Sequence, residues 1–116
     1  MERAATQNRV PRARFAEVVH CVAATPAGTR RYLAMNLNEG GIFLLTLFPM
    51  DKGTPLTCNF TIPNSSRVIT AKGEVAWVRA GSMRQSTPSG MGVRFTRMKV
   101  KDRQRIESFT KKLDPR

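Results

Sequence analysis

A strict alternation of apolar and polar residues near the middle of the chain constrains the fold more than any other feature. Between positions 56 and 62 every second residue is apolar, namely Leu56, Cys58, Phe60 and Ile62. Successive side chains of a β-strand point to opposite faces, so a period of two predicts a strand with one buried and one solvated face. A chain with such a strand needs partner strands that supply the rest of the core.

Five further apolar segments of similar length are separated by turn sequences rich in Gly, Pro, Asn and Ser. They cover residues 15–22, 30–37, 42–47, 68–78 and 91–95. Within them, we expect Tyr32, Ala34 and Asn36 to share one face, and Val75 and Trp77 to share another. Gly73 interrupts its segment and predicts a bulge. Six short antiparallel strands in so small a chain favour a closed or nearly closed barrel.

The period changes after the last strand. Four apolar residues fall near helical spacing, namely Val100, Ile106, Phe109 and Leu113. Asp102 in the first turn and Lys111 and Lys112 in the last suit the helix dipole. We therefore predict a helix over residues 99–113 that packs on the barrel. The fold class is mainly β, a six-stranded antiparallel barrel with a C-terminal helix over residues 14–116, preceded by a flexible basic arm over residues 1–13.

Charge limits the classes of partner. The chain has 116 residues, enough for one core, and 20 Lys and Arg against 8 Asp and Glu give a net charge of +12. This balance favours anionic partners. Cys21 and Cys58 are too few for a disulfide framework, and we interpret both as buried thiols in a cytoplasmic protein. No apolar run is long enough to span a membrane.

Catalytic and metal-binding patterns are missing from the sequence. His20 is the single histidine, and no nucleophile or paired carboxylate lies near it in sequence. The acidic residues show no metal-ligand spacing, and there is no phosphate-binding glycine loop. We therefore expect a protein that is not an enzyme and holds no metal or cofactor.

A short polar segment, residues 36–43, carries the binding chemistry. Asn36 and Asn38 lie two positions apart and precede Gly40 and Gly41. Amides offer both donors and acceptors to base edges. We expect Gly41 to permit a positive φ and to leave room for a ligand. On spacing alone, an ordinary hairpin corner whose amides bond their own backbone explains the segment equally well.

Three arginines upstream offer the complementary chemistry, namely Arg9, Arg12 and Arg14. A guanidinium matches the paired O6 and N7 acceptors of guanine and also the oxygens of a phosphate. An arm that carries these arginines is able to clamp a planar, anionic ligand.

Residues 36–43 resemble the Asp/Asn-x-Ser-x-x-Gly motif of the PilZ domains. Residues 73–78, residues 90–95 and the terminal helix extend the resemblance to about residues 8–113. It implies a six-stranded barrel with a C-terminal helix, and cyclic di-GMP as the ligand. It also implies a role in bacterial second-messenger signalling, motility regulation included. The binding residues it implies are Arg9, Arg12, Arg14, Asn36, Asn38 and Gly41.

The sequence departs from the family pattern at two positions. Asn38 stands at the serine of the motif, and Asn8 stands at the first arginine of an upstream Arg-x-x-x-Arg motif that ends at Arg12. The leading hypothesis is a cyclic di-GMP receptor whose arm becomes ordered over the ligand and signals to a partner protein. The second is a degenerate adaptor that binds a protein but no nucleotide.

A third hypothesis is nucleic-acid binding through the basic terminal helix. Its cations are Lys99, Lys101, Arg103, Arg105, Lys111 and Lys112. Such a run is also typical of a solvated helix face. The chain has few aromatic residues to stack on single-stranded bases, which argues against a single-strand binder.

Overall fold

Six strands and one helix follow one another in this computed structural model, which describes residues 19–84 and 87–113. They are β1 (Val19–Thr25), β2 (Gly28–Asn38), β3 (Gly41–Leu45), β4 (Pro55–Phe60), β5 (Ile69–Arg79), β6 (Gly90–Met98) and α1 (Val100–Leu113). The proposed arm and residues 14–18 lie outside the described residues.

The strands form a closed barrel in the order β1-β2-β3-β6-β5-β4, and β4 pairs with β1 to complete it. Every pairing is antiparallel. The predicted fold class, a six-stranded antiparallel barrel with a C-terminal helix, is confirmed. Closure leaves no unpaired sheet edge among these strands.

The core fills the inside of the barrel with alternate residues of the strands, except where a bulge interrupts the alternation. Leu56, Cys58 and Phe60 of β4 are buried, as their alternation predicted. Cys21 and Cys58 are both free thiols with no exposed surface. A hydrogen bond with the Cys21 thiol, together with burial, raises the pKa of the Cys58 thiol. The prediction of buried thiols is confirmed.

The two ends of the barrel differ. At the helix end, β2 turns into β3, β4 ends, and β6 leads through Lys99 into α1. Ile106 of α1 is fully buried in the core, and Phe109 packs against it. Val100, the first residue of the helix, fits the apolar spacing but is 69% exposed. At the opposite, turn end lie the β1–β2 turn and the loops 46–54 and 80–89.

A bulge near the end of β2 changes which residue enters the core. The β2–β3 register shifts between Met35 and Asn38, and Asn36 has a left-handed backbone with φ 56°. One extra residue on a strand reverses the alternation beyond it. Leu37 is therefore fully buried, in the position that simple alternation would give to Asn36. Asn36, which we expected on the same face as Ala34, is only half-buried.

The β5–β6 ladder contains two bulges. At the first, between Lys72 and Gly73, the extra residue is Thr96, so the bulge predicted at Gly73 lies in β6 opposite it. At the second, between Val75 and Trp77, the extra residue is Ala76 of β5. Val75 is buried in the core, but Trp77 is 47% exposed. The prediction that Val75 and Trp77 share a face is therefore wrong. The second bulge carries Trp77 outward over β6, where Gly92 leaves space for the indole.

Candidate functional site

The corner between β2 and β3, residues 36–41, is an irregular turn fixed from several sides. The side-chain Oδ1 of Asn38 accepts hydrogen bonds from the backbone N–H groups of Gly40 at 2.7 Å and Gly41 at 3.1 Å. The Gly40 carbonyl accepts from Phe95 N of β6 at 2.9 Å. The Glu39 carbonyl accepts from Arg103 of α1 at 3.3 Å. The corner is thus held by itself, by β6 and by the helix.

The two amides of the corner have different roles. Because both partners of Asn38 Oδ1 are N–H donors, this oxygen is committed to the backbone and the Nδ2 group remains as a donor. Asn36 is half-buried, and its side chain makes no hydrogen bond with the described residues. The hairpin interpretation therefore accounts for the oxygen of Asn38, but it gives no partner to the amide of Asn36.

Gly41 is required for packing rather than for a left-handed backbone. It lies in β3 opposite Arg94, and its φ is not in the positive region that Gly28 and Gly53 adopt. A Cβ atom at Gly41 would lie 2.3 Å from the carbonyl oxygen of Val93. The expected positive φ is therefore wrong. Gly41 is needed because its missing side chain lets β3 and β6 approach each other.

The outer surface beside the corner is built in rows across β3, β6 and β5. The first row joins Gly41, Arg94 and Glu74. In it, the Arg94 guanidinium donates to Glu74 Oε2 at 2.7 Å, an exposed ion pair. Side chains two residues apart on a strand share a face, so the next row begins with Phe43, directly beside the corner.

The second row is aromatic. Phe43 and Trp77 stack with ring centroids 5.2 Å apart and planes inclined by 19°. Gly90 and Gly92 on β6 make room for them, since a Cβ on either would meet the Phe43 or Trp77 ring below 2.5 Å. Phe43 is buried by this arrangement, while Trp77 keeps about half of its surface exposed. A flat, exposed ring therefore lies next to the corner.

A guanidinium lies over the aromatic pair. The Cζ atom of Arg79 is 4.6 Å from the centroid of the Phe43 ring and 5.8 Å from that of Trp77. Its Nε group donates to the Pro88 carbonyl at 3.1 Å, which fixes the side chain in place. A cation over a ring face is attracted by the ring quadrupole. Positive charge and aromatic surface thus coincide.

The structure brings three of the predicted site residues together, Asn36, Asn38 and Gly41, in the one corner. Arg9, Arg12 and Arg14 lie outside the described residues. The described chain begins at Val19, which pairs with Ala34 of β2, two residues from Asn36. Arg14 precedes Val19 by five positions, a span of at most about 18 Å in extended chain.

Sequence reasoning missed Trp77, Arg79 and Arg94 as neighbours of the corner. Simple alternation places Trp77 on the face of Val75, but the extra residue Ala76 in β5 reverses this. The available signal was the pair Gly90 and Gly92. Two glycines on one face of a strand indicate that a bulky neighbour or a ligand lies over that face.

The described residues contain no group of three or more His, Cys, Asp or Glu placed to hold a metal ion. His20 lies on the exposed face of β1. Within residues 19–84 and 87–113, no helix has the length and apolar character needed to cross a membrane.

The order of strands, the amide–glycine corner and the terminal helix agree with one family model. The model of the PilZ domain matches residues 7–112. The chain belongs to the PilZ domain family. The match includes the corner and extends upstream over Arg9, Arg12 and Arg14. No curated protein sequence matches the chain.

Two solved structures share this PilZ fold. The Bacillus subtilis inhibitor of motility, MotI/DgrA, superposes with a TM-score of 0.75 at 18% identity, covering 94% of this chain and 53% of the other. MrkH of K. pneumonia gives a TM-score of 0.75 at 19% identity, with 96% and 52% covered. The chain spans about half the length of each, and at this identity the likeness concerns the fold.

Proposed function

We propose that this PilZ domain is a non-enzymatic receptor for cyclic di-GMP that signals to a partner protein. The observation that carries the proposal is the corner at residues 36–41. It presents the half-buried amide of Asn36 without a hydrogen-bond partner among the described residues, on a backbone fixed by β6 and α1. A polar group that is fixed before the ligand arrives loses little conformational entropy on binding.

The corner and the rows beside it supply the contacts that a guanine nucleotide needs. The Asn36 amide offers a donor and an acceptor to a base edge, and Asn38 Nδ2 adds a donor. The exposed face of Trp77 offers a stacking surface for a purine, with Arg79 beside it. Stacking of a base on an aromatic side chain contributes about 1–3 kcal/mol.

The arm completes this proposed site. Arg12, with Arg9 and Arg14, would hold the phosphates and a guanine edge through paired guanidinium contacts. Val19, the first described residue, pairs with Ala34, two residues from Asn36, so the preceding segment is long enough to reach the corner. Ligand would order the arm over the barrel, and the partner would read the new surface. The fold shared with an inhibitor of motility makes the motility machinery the first place to seek that partner.

Isothermal titration with cyclic di-GMP tests the proposal, and Trp77 provides a second signal as the single tryptophan of the chain. We expect saturable heat and a change in tryptophan fluorescence at the same ligand concentration. Arg12→Ala should weaken binding by about tenfold to a hundredfold, because a charge-assisted contact contributes about 1.5–3 kcal/mol. The matched control is Arg31→Ala, an exposed arginine near the turn end.

Restoring the family arginine at position 8 makes the test two-sided. Asn8→Arg should tighten binding by about tenfold to a hundredfold, since it adds one charge-assisted contact. Absence of heat at high micromolar ligand, for both the folded wild type and Asn8→Arg, would falsify the receptor proposal.

The adaptor without a nucleotide is the second candidate, and the geometry of Asn38 favours it. The acceptor of that side chain is already used by Gly40 and Gly41. In this case Arg12→Ala and Asn36→Ala leave partner binding unchanged. Partner binding that depends on added cyclic di-GMP and is abolished by either substitution rules the adaptor out.

A further inference from the structure

A second polar concavity lies at the helix end, between the start of β5 and the first turns of α1. Its volume is about 420 Å³, within the range of small-molecule sites. Its polar lining consists of Arg67, Thr70, Lys99, Lys101, Asp102 and Arg105. Four of these six side chains are cationic.

The one carboxylate of this basic pocket is already neutralised. Asp102 is buried, and its Oδ1 accepts a hydrogen bond from the Arg105 guanidinium at 2.6 Å. No carboxylate of the described residues pairs with the side chains of the other three cations, which are Arg67, Lys99 and Lys101. The pocket therefore holds a net positive charge that the described chain does not balance.

A like-charge pair extends the positive surface beside the pocket. Lys72 of β5 and Arg97 of β6 are directly opposite each other, and both are exposed. Lys72 lies two residues from Thr70 on the same face of β5, and Arg97 precedes Lys99 by two positions. Like charges directly opposite in a sheet repel each other, and an anion bound beside them would be attracted by both. The pair adds positive charge to the surface next to the pocket.

The basic pocket is separate from the corner. Arg103 of α1 donates to the Glu39 carbonyl in the corner, whereas Lys101 and Arg105 line the pocket. Residues two apart on an α-helix are rotated by about 200° around the helix axis, so their side chains point to nearly opposite sides. The helix therefore stands between the two sites, and a ligand in one does not occupy the other.

We propose that the basic pocket binds a small molecule carrying two or more linked phosphates. Three cations around one concavity, none paired with a carboxylate of the described residues, match the several charges of an oligophosphate better than a single phosphate. Thr70 adds a hydroxyl to the lining, and the first turn of α1 presents its positive dipole end to the same space. This site does not depend on cyclic di-GMP.

Titration of the full chain with inorganic pyrophosphate tests the pocket, with backbone amide shifts as the locating signal. At about 50 mM salt, where screening is moderate, we expect saturable binding with a Kd below about 1 mM. The shifts should concentrate in residues 67–72 and 99–105. Orthophosphate should bind at least about tenfold more weakly, because it brings fewer charges to the same cations.

Charge-matched variants separate the pocket from the general basicity of the chain. Arg67→Glu with Lys101→Glu should weaken pyrophosphate binding by at least about tenfold. Arg31→Glu with Lys52→Glu changes the net charge equally at the turn end, and should change the affinity by less than about twofold. All four side chains are exposed, so the fold should persist in both variants.

Three results would overturn the pocket. The first is a set of amide shifts spread over the whole barrel. The second is an equal weakening of pyrophosphate binding by both double variants. The third is that the protein binds duplex DNA through Arg67 and Lys101 but does not bind pyrophosphate. The last result would assign this surface to nucleic acid. Asn36→Gly should leave pyrophosphate binding unchanged even if it abolishes cyclic di-GMP binding, so the two sites fail or succeed separately.

Discussion

Strand β2 is flanked by two turns that make the same kind of connection in different ways. At its start, the turn at residues 25–28 joins β1 to β2 with an unbroken ladder from Val19–Ala34 to Thr25–Gly28. Thr25 Oγ1 donates to the Gly28 carbonyl at 2.7 Å and accepts from Ala27 N at 3.1 Å. The left-handed position, φ 112°, is occupied by Gly28, where it carries no steric cost.

At its end, the corner at residues 36–41 uses asparagines for the same purposes. Asn36, not a glycine, is left-handed, and the ladder shifts register beside it. Strained backbone and broken register are tolerated where they place a useful side chain. The difference supports the proposal that the first turn sets only the register of the barrel, whereas the corner also places a ligand-binding amide.

The largest expected effect tests whether the corner glycines have distinct roles. Gly41→Ala places a Cβ 2.3 Å from the backbone oxygen of Val93, so β3 and β6 must separate. We expect a loss of about 3 kcal/mol or more in the free energy of unfolding. Gly40→Ala meets only the Asn38 side chain, at 3.3 Å, and should lose less than about 1 kcal/mol. Chemical denaturation measures both, and equal losses would contradict the packing role of Gly41.

The sequence was sufficient for the parts of the molecule where alternation is unbroken. In β4 the buried members follow from a period of two, and closure follows from the number and length of the strands. The location of the corner was also predictable, because Gly40 and Gly41 end the strand and the amides precede them.

The parts that escaped prediction depend on contacts between distant strands. Leu37 and Trp77 changed faces because a bulge in each strand inserts one residue, and a bulge is fixed by the partner strand. Trp77 lies over Gly92, 15 positions further along the chain, and nothing in its own segment records this. Local sequence patterns therefore predicted the position of the corner but not the side chains that lie beside it.

The second prediction separates the conformation of Asn36 from its amide. Asn36→Gly keeps the left-handed backbone and removes the side chain, so stability should stay equal or rise by up to about 1 kcal/mol. Cyclic di-GMP affinity should fall by about tenfold to a hundredfold in the same variant, measured by titration calorimetry.

Asn64 provides the matched control, since it is also left-handed, with φ 66°, and lies in the loop between β4 and β5. Asn64→Gly should have a similar effect on stability and none on affinity. If Asn36→Gly binds cyclic di-GMP as tightly as wild type, Asn36 contributes only to the conformation of the corner. The two turns that flank β2 would then differ in backbone structure but not in function.

The smallest expected change in stability comes from removing the side-chain oxygens that fix the two turns, Asn38 Oδ1 and Thr25 Oγ1. Asn38→Ala leaves the N–H groups of Gly40 and Gly41 without their acceptor and should lower the free energy of unfolding by about 1–2 kcal/mol. Thr25→Ala removes one donated and one accepted bond in an exposed turn, where water replaces them, and should lower it by about 0.5–1 kcal/mol.

Asn38→Asp distinguishes a lost acceptor from a lost side chain, and thermal melting at neutral pH is the measurement. A carboxylate accepts from the same two N–H groups, so Asn38→Asp should recover most of the stability that Asn38→Ala loses. It also removes the Nδ2 donor, so cyclic di-GMP affinity should remain reduced. Recovery of both would mean that Asn38 acts on the ligand only by holding the corner in shape. The functional difference between the two turns would then rest on Asn36 alone.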